Sequence, residues 1–167
     1  SIKQLACSTA VVLLAQTDDL AAQGSDGMGL SETQTYRVTE VLEDGFNACK
    51  GVDILYRPDC YQHVFRSGSR ILSSNAGYWE AEVALTRVGR NLYNFMRAHN
   101  DPKASKIKAG GFRLKAVKPD KLSEASTIFE ADIARAEKSL LSGSAMERRF
   151  FAPIADLVKA QKGALSK

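Results

Sequence analysis

CKGVDILYRPDCYQHVFRSGSRILSSNAGYWEAEVALTRVGRNLYNFM, residues Cys49 to Met96, decides the fold. After Arg57, Pro58 and Asp59, the apolar positions Cys60, Val64, Phe65, Gly68, Ile71 and Leu72 recur at intervals of four and three. That spacing stacks them on one face of a helix. Pro58 suits a first turn, where its missing N–H costs nothing, and Asp59 favours the positive end of the helix dipole. Ser73, Ser74, Asn75 and Gly77 break the pattern. A longer helix then runs from Tyr78 through Trp79, Ala81, Leu85, Val88, Leu92, Phe95 and Met96 to a stop at Asn100-Asp101-Pro102. Two amphipathic helices joined by so short a polar turn are expected to pack antiparallel, against each other and against a third element.

Outward from this hairpin the helical period continues on both sides. Ser31 is placed to cap a helix that starts at Glu32 and carries Val38, Val41, Leu42, Phe46 and Cys49 on its apolar face. Between Cys49 and Cys60, the residues Val52, Ile54, Leu55 and Tyr56 read as a loop tucked over the bundle end. Downstream, Pro119 and Asp120 introduce a helix with Leu122, Ala125, Ile128, Phe129, Ile133, Ala136 and Leu140, ended by Ser142-Gly143-Ser144. A last helix carries Met146, Phe150, Phe151, Ile154, Leu157 and Val158, and Pro153 predicts a kink or restart near Phe151. The fold class is therefore all-α, a four- to five-helix bundle built from antiparallel helical hairpins. An irregular or short extended basic segment is expected between residues 103 and 119, where Phe112, Leu114 and Ala116 alternate with basic residues; it either pairs with Ile54-Leu55-Tyr56 or stays irregular.

The chain divides into residues 1–15, 16–30 and 31–167. Lys3 followed by the apolar run Leu5 to Ala15 describes a secretory signal peptide, with a retained N-terminal core helix as the alternative. The run is too short to span a bilayer. Residues 16–30, with Gly24, Gly27 and Gly29 and no apolar period, read as a flexible leader; a phosphate loop there would need a preceding strand and a Gly-Lys-Ser/Thr ending. Residues 31–167 are one bundle domain, and 44% hydrophobic with 25% charged residues is ordinary for a folded protein.

Of the three cysteines, Cys7 lies in the signal-like run, leaving Cys49 and Cys60 as a pair at the ends of successive helices. A bond between them would close the loop from Lys50 to Asp59 and contribute about 2–3 kcal/mol. Two buried free thiols in a cytoplasmic protein are the alternative. Together these features predict a periplasmic or secreted location, or a cytoplasmic one if residues 1–15 stay in the core.

No catalytic set emerges. His63 and His99 have neither a neighbouring nucleophile nor zinc-ligand spacing, Ser67-Gly68-Ser69 and Ser142-Gly143-Ser144 lack the setting of a nucleophile elbow, and no cofactor or metal is expected. An enzyme would require carboxylates or a histidine brought together only by folding. What remains is charge. Arg87, Arg90, Arg97, Lys103, Lys106, Lys108, Arg113, Lys115 and Lys118 share their interval with a single acid, Asp101, although the net charge is only +4. The expected role is that of a small exported, non-catalytic scaffold or protein-binding module. The alternative is a binder of an anionic polymer or of lipid headgroups through Arg87, Arg90, Arg97, Lys106, Lys108, Arg113, Lys115 and Lys118.

Overall fold

The computed structural model describes residues 29–166. The apolar run Leu5 to Ala15, Cys7 and the leader up to Met28 lie outside the described residues. The helices are α1 (Glu32–Lys50), α2 (Arg57–Leu72), α3 (Trp79–His99), α4 (Leu122–Leu141) and α5 (Ala145–Lys159). Each packs on its successor, and α5 closes the ring against α1. The apolar stripes meet in one core that includes Val38, Leu42, Phe46, Phe65, Leu85, Leu92, Phe129, Ile133 and Ile154. A smaller cluster of Phe95, Met96, Val117, Leu122 and Ala125 sits at one end.

The ends of the helices follow local chemistry. Ser31 caps α1 by accepting from the Gln34 amide at 3.1 Å. Pro58 occupies the first turn of α2. Ser144 and Glu147 form a reciprocal capping box on α5. The Cys49–Cys60 disulfide is present, with Cα atoms 5.6 Å apart, joining the last turn of α1 to the first turn of α2.

Four details depart from the sequence reading. Gly29 and Leu30 belong to the fold: Leu30 is buried in the core, and the Gly29 carbonyl accepts from Asn75 at 2.7 Å. Trp79, placed on the apolar face, is 58% exposed: Tyr78, Ala81 and Leu85 around it are buried, and Trp79 falls off the stripe that they form. Helix α5 runs through Pro153 without a restart. Pro153 and Arg149, whose carbonyl the proline cannot serve, are both exposed, while Phe150, Phe151, Ile154 and Ala155 hold the opposite face. Finally, the chain beyond α5 folds back: Leu165 is buried and the Tyr61 hydroxyl donates to Gln161 at 2.9 Å.

The basic segment supplies its own pairing. β1 (Ile107–Ala109) and β2 (Phe112–Leu114) form an antiparallel hairpin across Gly110 and Gly111, whose φ angles are 58° and 81°. Positive φ at both central residues is the primed turn that matches strand twist. The Ile54–Tyr56 stretch is a single 3-10 turn, tied to the basic segment by the Val117 amide, which donates to the Leu55 carbonyl at 2.8 Å, and by the Tyr56 hydroxyl, which donates to the Ser105 carbonyl at 2.5 Å.

Candidate functional site

The side of the bundle formed by α2, α3 and the hairpin brings Arg66, Arg70, Arg90, Arg97, Arg113 and Lys115 together. Along α2, Asp59, Gln62, His63, Arg66 and Arg70 recur at three- and four-residue steps beside the buried stripe. From α3, Arg90, Tyr93, Asn94 and Arg97 face them. Close approach is possible because Gly89 has no side chain: a Cβ there would stand 2.8 Å from Arg66 Cγ and 3.3 Å from the Gln62 carbonyl oxygen.

Two adjoining clefts result. The outer one, about 440 Å³, is lined by Arg66, Ser69, Arg70, Thr86, Arg90, Tyr93 and Asn94. The inner one, about 210 Å³, is lined by Asp59, Gln62, His63, Arg66, Tyr93, Met96, Arg97, Arg113 and Lys115. Arg66 and Tyr93 belong to both. The Arg66 guanidinium carbon lies 5.0 Å from the Tyr93 ring centroid and that of Arg97 lies 5.8 Å from it, so one aromatic ring carries two cations.

The acid in this group is already engaged. Asp59, 5% exposed, accepts the Lys115 amide at 2.8 Å and the Gln62 side-chain amide at 3.1 Å, pinning the end of β2 to α2. Gln62 is 2% exposed, and its Oε1 is the one buried side-chain polar atom among the described residues without a hydrogen-bond partner. His63 stacks on Phe112, with centroids 4.6 Å apart, and its Nε2 is 4.0 Å from Asp59. Burial pushes the His63 imidazole below its ordinary range; Asp59 pulls the other way, and Arg66 and Lys115 add to the depression. Among the described residues no ion pair involves Arg66, Arg70, Arg90, Arg97, Arg113 or Lys115.

Of the cations singled out in the sequence, Arg90, Arg97, Arg113 and Lys115 line these clefts. Lys108 pairs directly with Arg113 across the hairpin and extends the same face. Arg87 does not join them. It turns toward α4, where its charge acts on the Asp132 carboxylate. Lys106 and Lys118 are exposed but line neither cleft. Of the contributions of α2, Arg66 and Arg70 fall outside the basic interval from Arg87 onward, and His63 is weighed from sequence only for catalysis and zinc binding. The recurring polar stripe beside the apolar face of α2 was the available signal.

The arrangement holds no nucleophile beside His63, and Asp59 is committed to backbone and amide donors. What the cationic lining can offer is positive charge and N–H donors to an anion. No helix among the described residues is long and apolar enough to cross a membrane. Comparison with protein-family models, with curated proteins and with solved structures gives no significant match.

Proposed function

We propose that this protein binds an extended acidic polysaccharide along the groove between α2 and α3, in an oxidising, extracytoplasmic setting. The observation that carries this reading is the run of guanidinium and ammonium groups along the groove, Arg70, Arg66, Arg90, Arg97, Arg113 and Lys115, with no ion-pairing carboxylate among the described residues. Like charges held together without acids repel one another, and a polyanion relieves that repulsion while releasing its counterions.

Two features favour a polysaccharide over other polyanions. Tyr93 is the exposed aromatic of the groove, and its ring is engaged by Arg66 and Arg97 rather than open to a stacking base. Apart from Tyr93, the lining of the groove carries no exposed large apolar side chain to anchor it in a bilayer. The disulfide supports an oxidising compartment, where polymers of sulfated or carboxylated sugars abound. The test is fluorescence anisotropy of a labelled sulfated oligosaccharide against the wild type, Arg66→Glu/Arg97→Glu, and a control reversal at Lys138 on α4. Loss of at least about tenfold in affinity for the groove variant alone supports the reading. Equal affinity for all three proteins, or preference for duplex DNA or anionic vesicles over the oligosaccharide, overturns it.

Docking of another protein is the second reading, and one observation favours it. Tyr36 is 64% exposed beside Phe150 and Pro153, in a cleft of about 330 Å³ between α1 and α5. A single apolar side chain flanked by the Arg149–Glu32 ion pair is a small feature against the ~800 Å² per partner of a stable interface, so the polyanion reading stands first.

A further inference from the structure

Resting on the polyanion reading, we infer that the inner cleft is the acid-strengthened end of the groove: one oxyanion of the polymer sits among Arg66, Arg97, Arg113 and Lys115, and protonation of His63 adds a fifth positive charge beside it. The geometry sets this apart from the outer cleft, whose only ionisable lining groups are arginines and Tyr93. Of the two clefts His63 lines only the inner one, with about a third of its side chain open to solvent.

Among the described residues, charged and titratable groups face His63 from three elements. On its own helix these are Asp59, with Nε2 to Oδ2 at 4.0 Å, and Arg66; from α3, Arg97 and Tyr93; from β2, Arg113 and Lys115, while the face of the ring is covered by Phe112. Four permanent cations against one carboxylate oppose protonation of the empty cleft, as does burial of the ring. An oxyanion drawn into the cleft reverses the sign of its immediate surroundings. The imidazole then takes up a proton, from neutral to doubly protonated, and linkage requires the reciprocal effect: lowering the pH through the histidine range tightens binding.

A fixed-charge ligand isolates the effect. The experiment measures the dissociation constant of a dextran sulfate oligosaccharide, whose sulfate esters stay ionised throughout, from pH 8 to pH 5.5 at constant ionic strength. Wild-type affinity should rise by roughly three- to tenfold on acidification, the value of one added charge pair at a partly exposed site. His63→Gln, and separately His63→Phe, which keeps the ring stack on Phe112, should abolish the rise. His99→Gln, a change at the other histidine, should retain it. NMR titration of the imidazole provides a second reading, with the His63 midpoint moving upward when the oligosaccharide is saturating. Salt-sensitive binding that is flat with pH, or a rise that survives in both His63 variants, overturns this inference and leaves the groove reading standing. Absence of binding at every pH overturns the groove reading itself.

Discussion

Lys108 stands directly opposite Arg113 across the two-stranded hairpin, two cations paired where an acid on either strand would hold the ribbon together better. Like charges at facing positions weaken an antiparallel pair, so this one costs stability. Replacing Lys108 by Glu should therefore move two properties in opposite directions. Stability should rise by about 0.5 kcal/mol in urea unfolding, and affinity for a sulfated oligosaccharide should fall. A variant that gains stability without losing affinity would remove Lys108 from the binding face.

Asp59 links the hairpin to the bundle. Its carboxylate takes the Lys115 amide at 2.8 Å, and Asp59→Ala leaves that amide and the Gln62 side-chain amide without their acceptor. The expected cost is about 1–3 kcal/mol. Hydrogen exchange localises the effect: the Lys115 amide should lose protection well before the amides of α4. Uniform loss of protection throughout the bundle would mean that Asp59 supports the whole fold rather than the hairpin.

The disulfide closes a short loop, and both sulfurs are fully buried. Cys49→Ser/Cys60→Ser should lower unfolding free energy by about 2–3 kcal/mol through the entropy returned to the unfolded chain. Reduction of the wild type should give the same shift in urea midpoint. No shift would show the unfolded chain to be constrained already near this loop.

Two acids should respond to pH with opposite signs. Burial raises Asp132 above the usual carboxylate range, against the opposing pull of Asn91, Arg135 and Arg87. Its contribution to stability is thus greatest below the unfolded value of 3.8 and is lost as pH rises through the folded one. Glu147 is held below its usual range by the Ser144 amide and hydroxyl, so its contribution is present above 4.5 and lost on acidification. Urea midpoints of Asp132→Asn and Glu147→Gln between pH 3 and pH 7 check both. Relative to wild type, the first should lose ground as pH falls and the second should recover.

Helix periods carried most of this architecture in the sequence itself. The stripe from Cys60 to Leu72 and the one from Ala81 to Met96 are buried together, as their spacing requires, and the paired cysteines at two helix ends are bonded. The hairpin was legible only as alternation. Gly110-Gly111, the turn that lets the segment pair with itself, stood unread between the two strands. The candidate site was half visible: the basic interval supplied Arg90, Arg97, Arg113 and Lys115, but a charge count along the chain cannot say that Arg66 lies across from Tyr93. Nor could it separate Arg87 from Arg90, three residues apart yet turned about 60° from one another on a helix. That angle sends one toward α4 and the other into the groove.

Binding in the α2–α3 groove is a statement about place, which amide chemical shifts of the labelled protein, titrated with a sulfated oligosaccharide, read residue by residue. Perturbations should concentrate between residues 59 and 70, 90 and 97, and 108 and 115, and fade together as salt is raised. Shifts confined to α1 and α5 around Tyr36, or none in the α2–α3 groove at saturating ligand, would contradict it.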